Sequence, residues 1–148
     1  MVQFKAATKP VLVRAGTTDS LVAFAIFVKR EYWIPAGQEI DVILDLGANV
    51  GYSAVYFAHH FPNAKIVSLE PSEENFACLQ ANTEGYKNIT TLKQGVWWRE
   101  AQLELINPDA ESWEFEFRET DGGGVPCVGI DTLAQKYACG RRMMVKIS

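Results

Sequence analysis

The residues with most chemical content stand in one short run, Asp45-Leu46-Gly47-Ala48-Asn49-Val50-Gly51, followed 19 residues after Gly51 by an acid, Glu70. Gly47 and Gly51 let the backbone turn sharply and come close to a ligand without a Cβ collision. A helix beginning with Tyr52 and Ser53 would aim free N–H groups at the same place, an end that attracts a carboxylate. Asp45 offers the opposite charge and can accept from an ammonium group. Together they suit a zwitterionic, amino-acid-like tail. Glu70 can take both hydroxyls of a ribose as a bidentate acceptor, the role an acid plays in dinucleotide-binding folds. Pro71 stiffens the chain beyond it.

An adenine ring would then lie past Glu70, where Gln94, Gly95, Val96 and Trp97 can supply polar edge contacts and an aromatic or apolar face. A nicotinamide cofactor would call for G-x-G-x-x-G at this turn, and the second glycine position holds Asn49. A side chain there obstructs a diphosphate but tolerates a cofactor without one. S-adenosylmethionine therefore fits better than NAD, with Ala48 and Asn49 completing the turn that holds it. The Walker A pattern is absent.

The elements that must position these residues follow from hydrophobic pattern. Residues 40–46 and 64–69 are short, apolar and rich in β-branched side chains, which reads as parallel strands covered on both faces. Helices are expected from Tyr52 to His60, stopped by Pro62, and from Ser72, a capping residue with Glu73 and Glu74 in the first turn, to about Thr83. A third strand spans 89–96. This alternation predicts an α/β fold, a doubly wound parallel sheet of Rossmann-like type with helices on both faces. Residues 102–106, 113–118 and 125–128 read as a small antiparallel excursion, after which Asp131 caps a helix to Tyr137 and residues 143–147 return as a fourth parallel strand. Before strand one, Val11-Leu12-Val13 is a candidate strand. Asp19 or a neighbouring Thr can cap a helix that buries Leu21, Phe24, Ala25 and Val28 and ends near Tyr32 or Trp33.

A length of 148 residues suits one domain, with residues 1–36 an N-terminal segment and helix and 37–148 the cofactor-binding part. Net charge is -4 and the isoelectric point about 5.2, so there is no electrostatic footprint for a nucleic-acid backbone. Arg141-Arg142 reads as a solvated approach to a strand. No stretch has the apolar length of a membrane span or a secretory signal, and a cytoplasmic location is expected. Cys78, Cys127 and Cys139 share no C-x-x-C spacing, and His59 and His60 are adjacent, so neither a disulfide framework nor a metal site is expected. Trp97, Trp98 and Trp113 read as core or partner surface rather than ligand stackers.

Four segments resemble the FkbM-type S-adenosylmethionine-dependent methyltransferases: residues 14–19, the run 45–53, residues 69–76 and Val145-Lys146-Ile147. The resemblance implies a class I methyltransferase fold and methyl transfer to a hydroxyl oxygen of a sugar or secondary metabolite, a small-molecule acceptor. Members of that family typically continue from the Lys-Ile into an Asp and three further strands. Here Ser148 stands at the Asp position, so the resemblance implies a cofactor-binding part with an incomplete sheet, whose bare edge favours self-association. The alternative is a non-catalytic adenosyl-ligand-binding or dimerising scaffold. No catalytic base is named by the pattern. Asp19 and Glu31 are the acids before strand one that could approach a cofactor, against a plainer reading as a helix cap and a solvated charge.

Overall fold

The computed structural model describes residues 1–35, 37–107 and 116–148. Its centre is a four-stranded parallel sheet in the order β3-β2-β1-β8, formed by β1 (Val42–Leu46), β2 (Lys65–Leu69), β3 (Ile89–Leu92) and β8 (Met143–Ile147). The chain steps from β1 to β2 to β3 in one direction, then returns to the other side of β1 as β8. The strand order therefore reverses beside β1, the place where open α/β sheets hold ligands.

Helices α1 (Asp19–Phe27), α2 (Tyr52–His60) and α3 (Glu73–Thr83) share one side of the sheet. A core including Ile43, Ile66, Val55, Phe57 and Leu79 fills that side. Helix α2 is walled by the sheet and both neighbouring helices, which is why every residue from Tyr52 to Ala58 is buried. On the other side Val42, Leu44, Leu46, Val67 and Leu69 pack under Val128, Leu133, Tyr137 and Ala138. Covered on both faces, all five residues of β1 are buried, at roughly 1.5–3 kcal/mol for each large aliphatic side chain.

Several local expectations are corrected. Strand three ends at Leu92; after Lys93 and Gln94 the chain leaves the central sheet, and β4 (Gly95–Trp97) joins a second sheet with order β4-β7-β5-β6. That sheet contains β5 (Ala101–Leu105), β6 (Phe117–Glu119) and β7 (Val125–Gly129). It is mixed rather than purely antiparallel, because β4 pairs with β7 in parallel. The 113–115 part of the expected middle strand lies outside the described residues. Val11-Leu12-Val13 is not a strand; Val11 makes one antiparallel bridge with Val2.

Helix α1 buries Ala23, Ile26 and Phe27, while Leu21, Phe24 and Val28 are exposed. From Leu21 to Phe27 the helix, Leu-Val-Ala-Phe-Ala-Ile-Phe, is apolar all round, so spacing alone could not choose a face. Aromatic contacts choose it: Phe27 stacks on Phe4 with centroids 4.7 Å apart and meets Tyr52 edge-on at 5.8 Å. The helix also ends at Phe27, ahead of Tyr32. Asp131 does not cap the last helix. Gly129 precedes α4 (Ile130–Leu133), which runs on as a π-helical turn, Ala134–Ala138. Arg142 is not simply solvated, since it pairs with Asp41 and Glu39. Among the described residues no helix is long and apolar enough to cross a membrane.

Candidate functional site

The turn after β1 has three left-handed residues within five positions: Gly47 at φ +74°, Asn49 at +52° and Gly51 at +90°. Asn tolerates that region better than most side chains, so Asn49 can hold a place where glycine would be the default. Gly51 has a further constraint, since a Cβ there would stand 2.7 Å from Leu79 Cδ1. The turn is pinned from below by the Ala48 N–H, which donates to the Leu69 carbonyl at 2.8 Å. Helix α2 then begins with no side-chain cap, leaving its first-turn N–H groups for other acceptors.

Glu70 closes β2 beside this turn and is 7% exposed. Its Oε2 accepts the Asn49 N–H at 2.8 Å and its Oε1 accepts the Ser72 N–H at 3.0 Å. Each oxygen keeps a lone pair for a further donor, and the carboxylate is aimed by backbone on both sides. Ser72 in turn caps α3 by accepting from the Asn75 N–H. Pro71 follows, half-buried, 3.9 Å from where a Gly95 Cβ would lie.

Asp45 has a different environment from the one its sequence position suggests. It is fully buried, and its Oδ2 accepts from Ser53 Oγ at 2.7 Å and Ser68 Oγ at 3.3 Å. Its Oδ1 lies 3.0 Å from Lys146 Nζ, close enough to pair charges but outside hydrogen-bonding angles. Lys146 Nζ donates at 2.7 Å to the Gly47 carbonyl. The ammonium expected from a ligand at Asp45 is thus matched inside the protein by Lys146. Sequence reasoning did not single this residue out, although a lysine within the apolar run Met-Met-Val-Lys-Ile signals a buried partner.

Lys146, Gly47, Asn49 and Ser53 line a cavity of about 220 Å³ together with Ile26 of α1 and Tyr32. Burial pushes the Tyr32 phenol up from its ordinary range. Tyr52, also pushed up by burial, donates from its hydroxyl to the Leu12 carbonyl at 2.8 Å and so holds the N-terminal segment over the turn. Asn82 reinforces this strap: its Oδ1 accepts the Leu12 N–H at 2.6 Å and its Nδ2 donates to the Val50 carbonyl at 2.8 Å.

The expected adenine contacts are less available. Gly95 faces Cys127, Val96 packs under the sheet, and the Trp97 indole N–H donates to Glu119 at 2.9 Å. Half-buried Gln94 stands at the break between β3 and β4, and its amide side chain makes no hydrogen bond among the described residues. Trp98 is exposed with the Arg99 guanidinium over its ring. Neither acid considered as a base fits that task. Asp19 is 3% exposed, paired with Arg14 at 2.8 Å, and held below the usual carboxylate range by hydrogen bonds from that guanidinium. It is the first residue of α1 rather than its cap, and Glu31 lies exposed on the surface.

No protein-family model and no curated protein sequence matches the chain. Among solved structures it is similar to the precorrin-6y C5,15-methyltransferase of Geobacter metallireducens GS-15, with 15% sequence identity and a TM-score of 0.41. That alignment covers 62% of this chain and 49% of the other, so this chain spans about half the length of the protein it matches. A likeness that distant adds no argument to the geometry.

Proposed function

We propose that this chain binds S-adenosylmethionine and forms the cofactor-binding part of a methyltransferase. The observation that carries the reading is Glu70, a carboxylate held by two backbone N–H groups at the end of β2, next to the left-handed turn where the strand order reverses. An acid so placed suits a ribose diol, and the uncapped α2 N-terminus across the turn suits a carboxylate. The absence of a second glycine at Asn49 fits a cofactor without a diphosphate.

In this reading Glu70 orients the ribose, the turn and α2 receive the amino-acid end, and Tyr32 with Ile26 excludes water from the cavity behind Gly47. The bound cofactor would supply an electrophilic methyl group. The protein's part is to hold it in line with an acceptor, where positioning accounts for much of the acceleration. The acceptor we propose is a hydroxyl of a sugar or secondary metabolite, on the resemblance of the four sequence segments to FkbM-type enzymes. Titration calorimetry with S-adenosylhomocysteine tests the cofactor: saturable binding that Glu70→Ala weakens supports it, and absence of heat from the folded chain refutes it.

The second reading, a self-associating scaffold, has one observation in its favour. On the β8 edge Met143, Val145 and Ile147 present exposed apolar side chains along a single face.

A further inference from the structure

Asp45 is the most deeply buried charge of the site, and its Oδ1 makes no hydrogen bond although Lys146 Nζ stands 3.0 Å away. Lys146 lines the cavity and Asp45 does not, so the lysine head lies between the carboxylate and the space a ligand would enter. The same Nζ holds the Gly47 carbonyl at 2.7 Å. The two acceptors, one charged and one neutral, are arranged around a single ammonium group.

An α-ammonium on an amino-acid ligand has the same charge and the same three donors as Nζ. Taking both acceptors from Lys146 would leave no buried charge unmatched, whereas leaving Asp45 unpaired at any stage is costly. Lys146 can give way because its side chain already borders the cavity rather than being enclosed by the core. A four-carbon stem lets its head move to solvent while the stem stays packed.

We propose that Lys146 is an internal surrogate for the ligand's ammonium: it neutralises Asp45 and props Gly47 in the ligand-free protein, and is displaced like for like when the amino-acid end of the cofactor enters. This rests on the adenosyl-cofactor reading above. Its consequence is that the cofactor's tail competes with a side chain of the protein, so that the amino-acid end adds little net affinity while Lys146 is present.

Calorimetry on the full chain with two probes tests it: S-adenosylhomocysteine, and 5′-methylthioadenosine, which has the nucleoside but no amino-acid tail. The expected result is that Lys146→Met binds S-adenosylhomocysteine about tenfold more tightly than wild type, as removal of a competing state in nine-tenths of the molecules would produce. Affinity for 5′-methylthioadenosine stays unchanged. If wild type binds both probes and Lys146→Met binds S-adenosylhomocysteine no more tightly, the exchange is overturned and the adenosyl reading stands. If wild type binds neither probe, the cofactor reading fails and the exchange with it. Wild-type chain labelled with ¹⁵N-lysine answers even where the variant does not fold. The protected Lys146 Nζ resonance should be lost to solvent exchange on adding S-adenosylhomocysteine and kept with 5′-methylthioadenosine. Its persistence with both bound overturns the proposal.

Discussion

Glu70 accepts the backbone N–H of Asn49 at 2.8 Å, so the acid that ends β2 also sets the conformation of the turn that ends β1. The bond joins the two features of the proposed site into one unit. Removing the carboxylate therefore acts twice, on the proposed ligand contact and on the turn. Glu70→Ala is expected to weaken S-adenosylhomocysteine binding by about 1.5–3 kcal/mol, the range of a charge-assisted bond, with Glu70→Gln intermediate. Equal affinity in all three chains would remove Glu70 from the site.

Asn82 is 4% exposed and ties Leu12 to Val50 through one side-chain amide. Asn82→Ala leaves a buried Val50 carbonyl and the Leu12 N–H without their partner. A loss of about 2 kcal/mol in urea unfolding is expected, together with earlier proteolysis before Leu12. A variant as stable and as protease-resistant as wild type would show that the strap is held otherwise.

Gly51→Ala places a Cβ at φ +90° and 2.7 Å from Leu79 Cδ1, with the Leu79 backbone close behind at 3.3 Å. The strain and the clash together should cost about 2 kcal/mol or more. Gly140 has a similar φ of +80° with open space around it, so Gly140→Ala isolates the backbone part and is expected to cost about 1 kcal/mol. Thermal unfolding of the two variants side by side separates clash from backbone strain.

The Arg14 guanidinium holds Asp19 below the usual carboxylate range in the folded state, while an unfolded Asp titrates near its ordinary value of about 3.9. The native state therefore binds fewer protons than the unfolded one in that interval. The resulting stabilisation is present above about pH 4 and is lost as pH falls through the folded-state value. Asp19→Asn should destabilise the chain at pH 7 by about 2 kcal/mol and flatten the fall in stability below pH 4. Parallel pH curves for the two proteins would contradict this.

The row Met143, Val145 and Ile147 on an edge strand is an aggregation-prone arrangement. Sedimentation should show concentration-dependent association, reduced by Val145→Lys. Behaviour as a monomer at all concentrations would count against the scaffold reading.

How much of this was legible beforehand depends on the range of the interaction involved. Helix α2 ran from Tyr52 to His60 and α3 from Glu73 to Thr83 as expected, because Ser72, Pro62 and the glycines act within a few residues. The β1 and β2 strands were legible because short, mostly apolar and β-branched runs, Val42-Ile43-Leu44 and Ile66-Val67, covered on both faces leave little choice. Helix α1 was misread because an all-apolar segment carries no facial signal, and its face was settled by Phe4 and Tyr52, distant in sequence. Strand three ends at Leu92 because Gly95 to Trp97 pair instead with β7, about thirty residues later.

The sequence by itself determined the turn, since Gly47, Asn49 and Gly51 are residues that accept left-handed backbone, and it determined the acid beyond it at Glu70. The tertiary structure alone decided what Asp45 meets. Parallel pairing of β1 with β8 sets Asp45 opposite Lys146 in register, and full burial leaves the Asp45 carboxylate no water to turn to, so a lysine 101 positions away takes the place of solvent.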